Sequence, residues 1–142
     1  MKKDRRHRAR EAALQILYQW DVAHSDVGRA SETFFDLQWA DAQPPTDTLR
    51  AFASSLASDT VLRLEEIDAR IAESAQNWRP ERMAVLDRLI IRMAVCEFLR
   101  DKDTPPVVVI NEALELARTF STEDAVKFIN GMLDGIRKNL AN

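Results

Sequence analysis

Apolar residues recur every three or four positions along most of the chain, which is the spacing of amphipathic helices. In the first such segment they are Ala9, Ala12, Ala13, Ile16, Leu17 and Trp20. The polar residues between them, Arg8, Glu11, Gln15 and Gln19, are expected on the opposite face. The pattern therefore predicts a helix that the first ten residues either precede or begin.

The middle of the chain is interrupted by turn-forming residues. A turn is predicted over residues 24–28, and Ser31 is a plausible N-cap of the following helix. Residues 41–45 contain a proline pair and predict a linker. A long helix then follows over residues 46–77, with a possible interruption at residues 58–59.

The pattern of apolar residues in the second half of the chain predicts three more helices. Pro80 suits a first helical position and disfavours helix before it, so we place a subdomain boundary at residues 78–80. Apolar residues cover every side of the segment 86–99, which predicts a helix buried all round.

Residues 107–110 are β-branched, which by itself favours a strand. We predict a helix instead, because a proline pair opens the segment and the helical period continues to Phe120. Ser121 is predicted to cap the last helix, with Asp124 at its third position.

These patterns predict an all-α fold. With 46% hydrophobic residues, three glycines and five prolines, 142 residues suffice for one domain with its own core. We expect a single domain over residues 1–142, in which two helical subdomains, 1–79 and 80–142, share one continuous core. About six to seven helices are expected, together with a basic N-terminal arm.

The arm comprises residues 1–10, which hold six cations and one carboxylate and so carry a net charge of +5. Because the whole chain carries −3, the other residues carry −8. Cations at a helix N-terminus oppose the helix dipole, so helix stability does not explain them. Two alternatives remain open from charge alone: the arm follows a phosphate backbone, or it is a solvated terminus.

Residues suited to catalysis are few. The only imidazoles, His7 and His24, have no obvious orienting partner, and Cys96 lies in an apolar segment. The spacing of these residues matches no zinc site, and the glycines form no phosphate-binding loop. We expect a non-enzymatic protein without a metal or cofactor. One cysteine and the lack of a long apolar run predict a cytoplasmic protein with no membrane span.

The last helix carries a second stripe beside its buried face. Asp124, Lys127, Phe128 and Gly131 stand at positions i, i+3, i+4 and i+7. An aromatic ring flanked by charges beside a glycine is typical of a partner surface, and additional core packing is the alternative. Tyr18 also has two alternatives: its ring could stack on an RNA base, or it could pack in a core or interface.

Several segments together resemble the NusB family of bacterial transcription antitermination factors. They occur in the family's order along the chain: Arg8-Ala9-Arg10-Glu11 with Leu14-Gln15-Ile16-Leu17-Tyr18, Leu86-Asp87-Arg88 with Arg92 and Glu97, Val109-Ile110-Asn111-Glu112-Ala113 with Glu115-Leu116-Ala117, and Lys127-Phe128-Ile129-Asn130-Gly131 with Leu133-Asp134.

The resemblance implies an all-helical protein that binds single-stranded boxA RNA of ribosomal RNA leaders together with NusE, a small-subunit ribosomal protein. The complex would join the RNA polymerase elongation complex and suppress termination. The RNA contacts it implies are Lys2, Arg5, Arg6, Arg8, Arg10 and Tyr18. The NusE-facing residues it implies are Asp87, Asp124, Lys127 and Phe128. The arm departs from the family's denser arginine run, because Asp4 and His7 interrupt it.

Two alternatives to this function stay open. A NusB-like domain also begins certain RNA cytosine methyltransferases, but residues 1–142 contain no cofactor-binding βαβ pattern, so this alternative requires a longer chain. The other alternative is a protein-interaction module whose arm binds nothing. A homodimer is also possible.

Overall fold

The computed structural model describes residues 5–141, although it leaves the side chain of Arg5 undescribed. Over this range the chain forms seven α-helices and no strand, which confirms the predicted all-α class. The helices are α1 (Arg5–Ala23), α2 (Val27–Thr33), α3 (Asp47–Leu62), α4 (Leu64–Ser74), α5 (Val85–Arg100), α6 (Pro106–Phe120) and α7 (Glu123–Ala141).

The chain divides into two compact units, residues 1–61 and 62–142. The subdomain boundary predicted at residues 78–80 stays a prediction; α4, which precedes it, packs against α5 and α7. The single domain and its continuous core stay predictions.

In the first unit, α1 packs against α2 and against a π-helical turn at Phe34–Gln38. The predicted apolar stripe is buried apart from Trp20, which is partly exposed. However, all residues from 9 to 14 are buried, so the prediction that Glu11 faces away from the core is wrong. The cost of burying the Glu11 carboxylate is offset by the guanidinium of Arg8, whose Nη1 lies 3.0 Å away, and His7 Nε2 lies at 3.5 Å.

Three aromatic rings meet around the π-helical turn. Phe34 lies edge-on to Phe35 and to Trp39, with ring centres 5.1 and 6.3 Å apart. Trp39 Nε1 donates to the carbonyl of Gln43 at 2.8 Å, which ties the middle of the predicted linker to this ring. The segment between α2 and α3 therefore has its own small apolar cluster.

The predicted cap of α2 is wrong. Asp26 caps this helix, because its carboxylate accepts from the backbone N–H of Arg29 at 3.2 Å. Ser31 lies inside the helix, where its hydroxyl shares a 2.5 Å hydrogen bond with that of Ser54 on α3.

The second unit is built around α5, which packs against α4, α6 and α7. All residues from Leu89 to Cys96 are buried, as is Glu97, which confirms the helix predicted to be buried all round. Arg92 donates from Nε and Nη2 to the two carboxylate oxygens of Asp68 on α4, both at 2.9 Å. This bidentate pair neutralises the buried cation and joins two helices.

Two further boundaries differ from the sequence predictions. The helix predicted over residues 46–77 breaks at Arg63, between α3 and α4. The last helix is capped by Thr122, whose hydroxyl accepts from the N–H of Ala125 at 3.1 Å. Ser121, the predicted cap, donates to Asp87 instead. The prediction of helix over residues 107–110 is confirmed.

Within residues 5–141, no helix combines the length and the apolar character needed to cross a membrane.

Candidate functional site

The arginines of the arm, which resemble one another in the sequence, differ in their surroundings. Arg6 is exposed, with its guanidinium carbon 5.1 Å from the ring centre of Phe52. Arg10 lies 5.6 Å from the same ring, but it is only 2% exposed. So little of the Arg10 side chain faces solvent that it has almost no surface to offer a ligand, and its contact with RNA stays a prediction. Lys2 and the side chain of Arg5 lie outside the described part of the chain.

Arg8 occupies a third environment. Its guanidinium lies 4.4 Å from the Trp39 ring centre, donates from Nε to Asp41 at 2.9 Å and lies 3.0 Å from Glu11. Two carboxylates thus share the charge of Arg8, and one of them, Asp41, is exposed in the segment before α3. A phosphate that approached Arg8 would compete with Asp41.

Tyr18 is 42% exposed on the later half of α1. The alternative that placed it in a core is therefore wrong for this chain. Its ring presents apolar area and a hydroxyl to solvent, a combination suited to stacking on a base or to packing in an interface.

The predicted partner stripe on α7 is exposed as well. Asp124 and Lys127 are exposed, and the Phe128 ring is 48% exposed, so Phe128 does not belong to the core. An open depression of about 380 Å³ adjoins the ring, and its lining comes from the end of α4 and from α7: Ser74, Ala75, Lys127, Phe128, Gly131, Met132 and Gly135. An exposed aromatic ring beside a depression is typical of a protein-binding surface.

The two glycines of this depression are not required by the fold around them. A Cβ placed on Gly131 or Gly135 would meet no atom within 4 Å. Glycine inside a helix costs about 0.5–1 kcal/mol relative to alanine, so both residues weaken α7 with no gain inside this chain. A surface that admits close approach of another chain would account for them.

Asp87 connects the start of α5 to the start of α7. It stands in the first turn of α5 and accepts a 2.6 Å hydrogen bond from Ser121 Oγ, one residue before the α7 cap. Asp124 lies in the first turn of α7 and Phe128 one turn further on. The four predicted partner residues therefore gather around the first half of α7, although Asp87 is half-buried and already has a hydrogen-bond donor.

Residues 7–138 match the sequence profile of the NusB family. The chain belongs to the NusB family. The transcription antitermination protein NusB of Solibacter usitatus is 45% identical to it over 135 residues, which cover 95% of this chain and 90% of that protein.

Solved structures of NusB proteins have the same fold. NusB of T. maritima superposes with a TM-score of 0.83 at 32% identity, with 97% of this chain and 93% of that one covered. A crystal structure of the antitermination factors NusB and NusE in complex with dsRNA gives a TM-score of 0.80 at 26% identity, with 95% and 97% covered.

The NusB-like segments of this chain also serve its fold. Within Arg8-Ala9-Arg10-Glu11, the two arginines hold aromatic rings of other elements, and Glu11 pairs with Arg8. Within the last segment, Ile129 and Leu133 are buried while Phe128 and Gly131 are exposed. The segment therefore alternates between residues that fix α7 in place and residues that face solvent.

The three residues considered for catalysis differ in their burial and surroundings. Cys96 is buried, as expected for a small core residue, and His7 is buried beside Glu11. His24 is exposed with a φ of 57° at the end of α1. In the part of the chain that the structure describes, no three His, Cys, Asp or Glu side chains lie close enough to hold a metal ion.

Sequence reasoning missed three residues of the first unit: Trp39, Asp41 and Arg50. Trp39 lies just before the predicted linker, Asp41 begins it, and Arg50 is a polar residue of the helix predicted over residues 46–77. A tryptophan two residues before an aspartate was the available indication for the first two, but only the fold brings both against Arg8.

Proposed function

We propose that this chain is a transcription antitermination factor that binds boxA-type single-stranded RNA together with NusE. In this proposal the resulting complex joins elongating RNA polymerase and suppresses termination. Its activity is binding, no bond is made or broken, and it acts in the cytoplasm.

The observation that carries this proposal is membership of the NusB family over residues 7–138. The relatives at about 40–45% identity are transcription antitermination proteins, and one structural neighbour is a NusB–NusE complex with dsRNA. Since this chain covers 90% of its relative from Solibacter usitatus, that protein has little length for a catalytic domain. This favours antitermination over the methyltransferase alternative.

The RNA side of the proposal is assigned to α1. Arg6 is exposed and held over Phe52, Arg8 is partly exposed beside Trp39, and Tyr18 presents its ring. Arginine suits this role because its planar N–H groups match phosphate while its face stacks on aromatic rings. We assign Arg10 to the support of Arg6, because both guanidinium groups lie over the Phe52 ring and Arg10 is buried.

The NusE side is assigned to the first half of α7. Phe128 would supply the apolar anchor, Gly131 the space for close approach, and Asp124 with Lys127 a charged rim. Interfaces commonly place one large ring at the centre of polar neighbours that contribute less. Asp87 would act mainly by fixing the start of α7 through Ser121.

The test is the binding of a fluorescent boxA RNA and of a scrambled RNA, each with and without NusE. We expect salt-sensitive binding of both RNAs by the chain alone and a preference for boxA once NusE is added. A single strand should bind more tightly than a duplex of the same sequence. The slope of log affinity against log salt should be about 0.7 per neutralised phosphate on a single strand.

Two results would contradict the proposal. Binding of NusE without any salt-dependent RNA binding would favour the protein-interaction module. Tighter binding of the duplex would show that the RNA assigned here is the wrong form.

A further inference from the structure

Arg50 lies in the first unit, near the start of α3. Its guanidinium carbon is 4.8 Å from the ring centre of Phe35, and Phe35 lies 5.8 Å from Trp39. Arg8 covers Trp39 at 4.4 Å. These four side chains form a continuous series, termed here the arginine–aromatic ladder, in which two guanidinium groups flank two rings.

The two arginines of the ladder differ in their charged neighbours. Arg8 lies between Glu11 and Asp41. Arg50 is partly exposed, and within residues 5–141 it makes no ion pair. Among the described residues, therefore, no carboxylate in contact with Arg50 balances its positive charge.

This environment suits an anion ligand. A guanidinium held over a ring gives up less side-chain entropy on binding, and its in-plane N–H groups remain able to donate to a phosphate. Burial of the Phe35 ring fixes the position of the stack. The ladder also includes Arg8 of the basic arm, so an anion at Arg50 would continue the surface assigned to RNA.

We propose that Arg50 binds a backbone phosphate of the RNA and extends the RNA-binding surface from α1 to α3. This inference rests on the RNA binding proposed above. The contact adds affinity without base specificity, because a phosphate is the same at every nucleotide.

The test compares Arg50→Ala with Arg29→Ala in salt titrations of RNA binding by the full chain. Arg29→Ala is the control because it removes the same positive charge from the same unit. Arg29 is exposed on α2 and lies outside the ladder. We expect Arg50→Ala to lower the salt slope by about 0.7 on a single strand, with equal loss for boxA and scrambled RNA. Arg29→Ala should leave the slope unchanged.

Arg50→Gln is the second variant, because it keeps part of the aliphatic stem if Arg50→Ala disturbs the fold. It should lower the slope by the same amount. Absence of RNA binding by the unaltered chain would refute the proposed function itself. If the unaltered chain binds RNA, then an unchanged slope in Arg50→Gln, or an equal loss in Arg29→Ala, would overturn the Arg50 contact. Loss of NusE binding alone would assign Arg50 to the protein partner and overturn it too.

Discussion

At the scale of single residues, equal charges in the sequence acquire unequal roles in the fold. Arg6, Arg8 and Arg10 stand at alternate positions of one short basic segment. The structure leaves Arg6 exposed, places Arg8 between two carboxylates and buries Arg10. Charge counting finds the segment, whereas packing decides which of its members can reach a ligand.

Replacing Arg6 and Arg10 separately should therefore give opposite results. Arg6→Ala should weaken RNA binding and leave the melting temperature nearly unchanged. Arg10→Ala should lower the free energy of unfolding by about 1–3 kcal/mol, because it removes a buried side chain that packs on Phe52. Thermal unfolding and RNA titration of both variants provide the measurement. If Arg10→Ala and Arg6→Ala had the same free energy of unfolding, the burial of Arg10 would not give it a structural role that Arg6 lacks.

We expect Asp41 to weaken the contact between Arg8 and an RNA phosphate. Asp41→Asn keeps the shape of the side chain but removes the charge that competes with a phosphate, so RNA affinity should rise. The salt slope should grow by at most about 0.7, the value of one added phosphate contact. The melting temperature should change little, since exposed ion pairs contribute about 0–1 kcal/mol.

The matched control for this change is Asp36→Asn, which removes the same charge from an exposed position of the π-helical turn. If both variants raise the affinity equally, net charge alone is responsible. The effect of Asp41→Asn should also vanish when Arg8 is replaced by alanine.

At the scale of elements, α7 has one face that packs in the core and a neighbouring face that is open to solvent. Ala125, Ile129, Leu133 and Ile136 are buried, while the neighbouring stripe of Phe128, Gly131 and Gly135 is open. The helical period identified the buried face from the sequence. It could not decide whether Phe128, at the edge of that face, turns inward or outward, because one helical position spans about 100°.

Phe128→Ala should lower NusE affinity by at least tenfold and leave RNA binding by the chain alone unchanged, because a central aromatic anchor commonly contributes 2 kcal/mol or more to an interface, as a rough guide. Its melting temperature should stay close to that of the unaltered chain, since the ring is 48% exposed.

Val108→Ala on α6 is the control for the loss of exposed apolar area, because Val108 is 40% exposed and lies on another helix. It should bind NusE as the unaltered chain does. A folded Phe128→Ala protein with full NusE affinity would remove Phe128 from the partner surface.

At the scale of the whole molecule, the charge is divided between one short basic segment and an acidic remainder. The first ten residues carry +5 within a chain of net −3. Attraction to RNA is therefore local and screened by salt over about 10 Å, whereas preference for one RNA sequence requires a folded surface and a partner.

The sequence by itself determined the helical class, most helix positions and the basic segment, because apolar periodicity and charge are local properties of the chain. It also carried the NusB resemblance. Only the tertiary structure decided that Glu11 and Arg10 are buried, that Thr122 rather than Ser121 caps α7, that Trp39 and Asp41 contact Arg8, and that Arg50 lies over Phe35. These outcomes depend on which helices meet. For the basic arm, the fold replaces a uniform run of cations with one exposed arginine, one restrained arginine and one buried arginine.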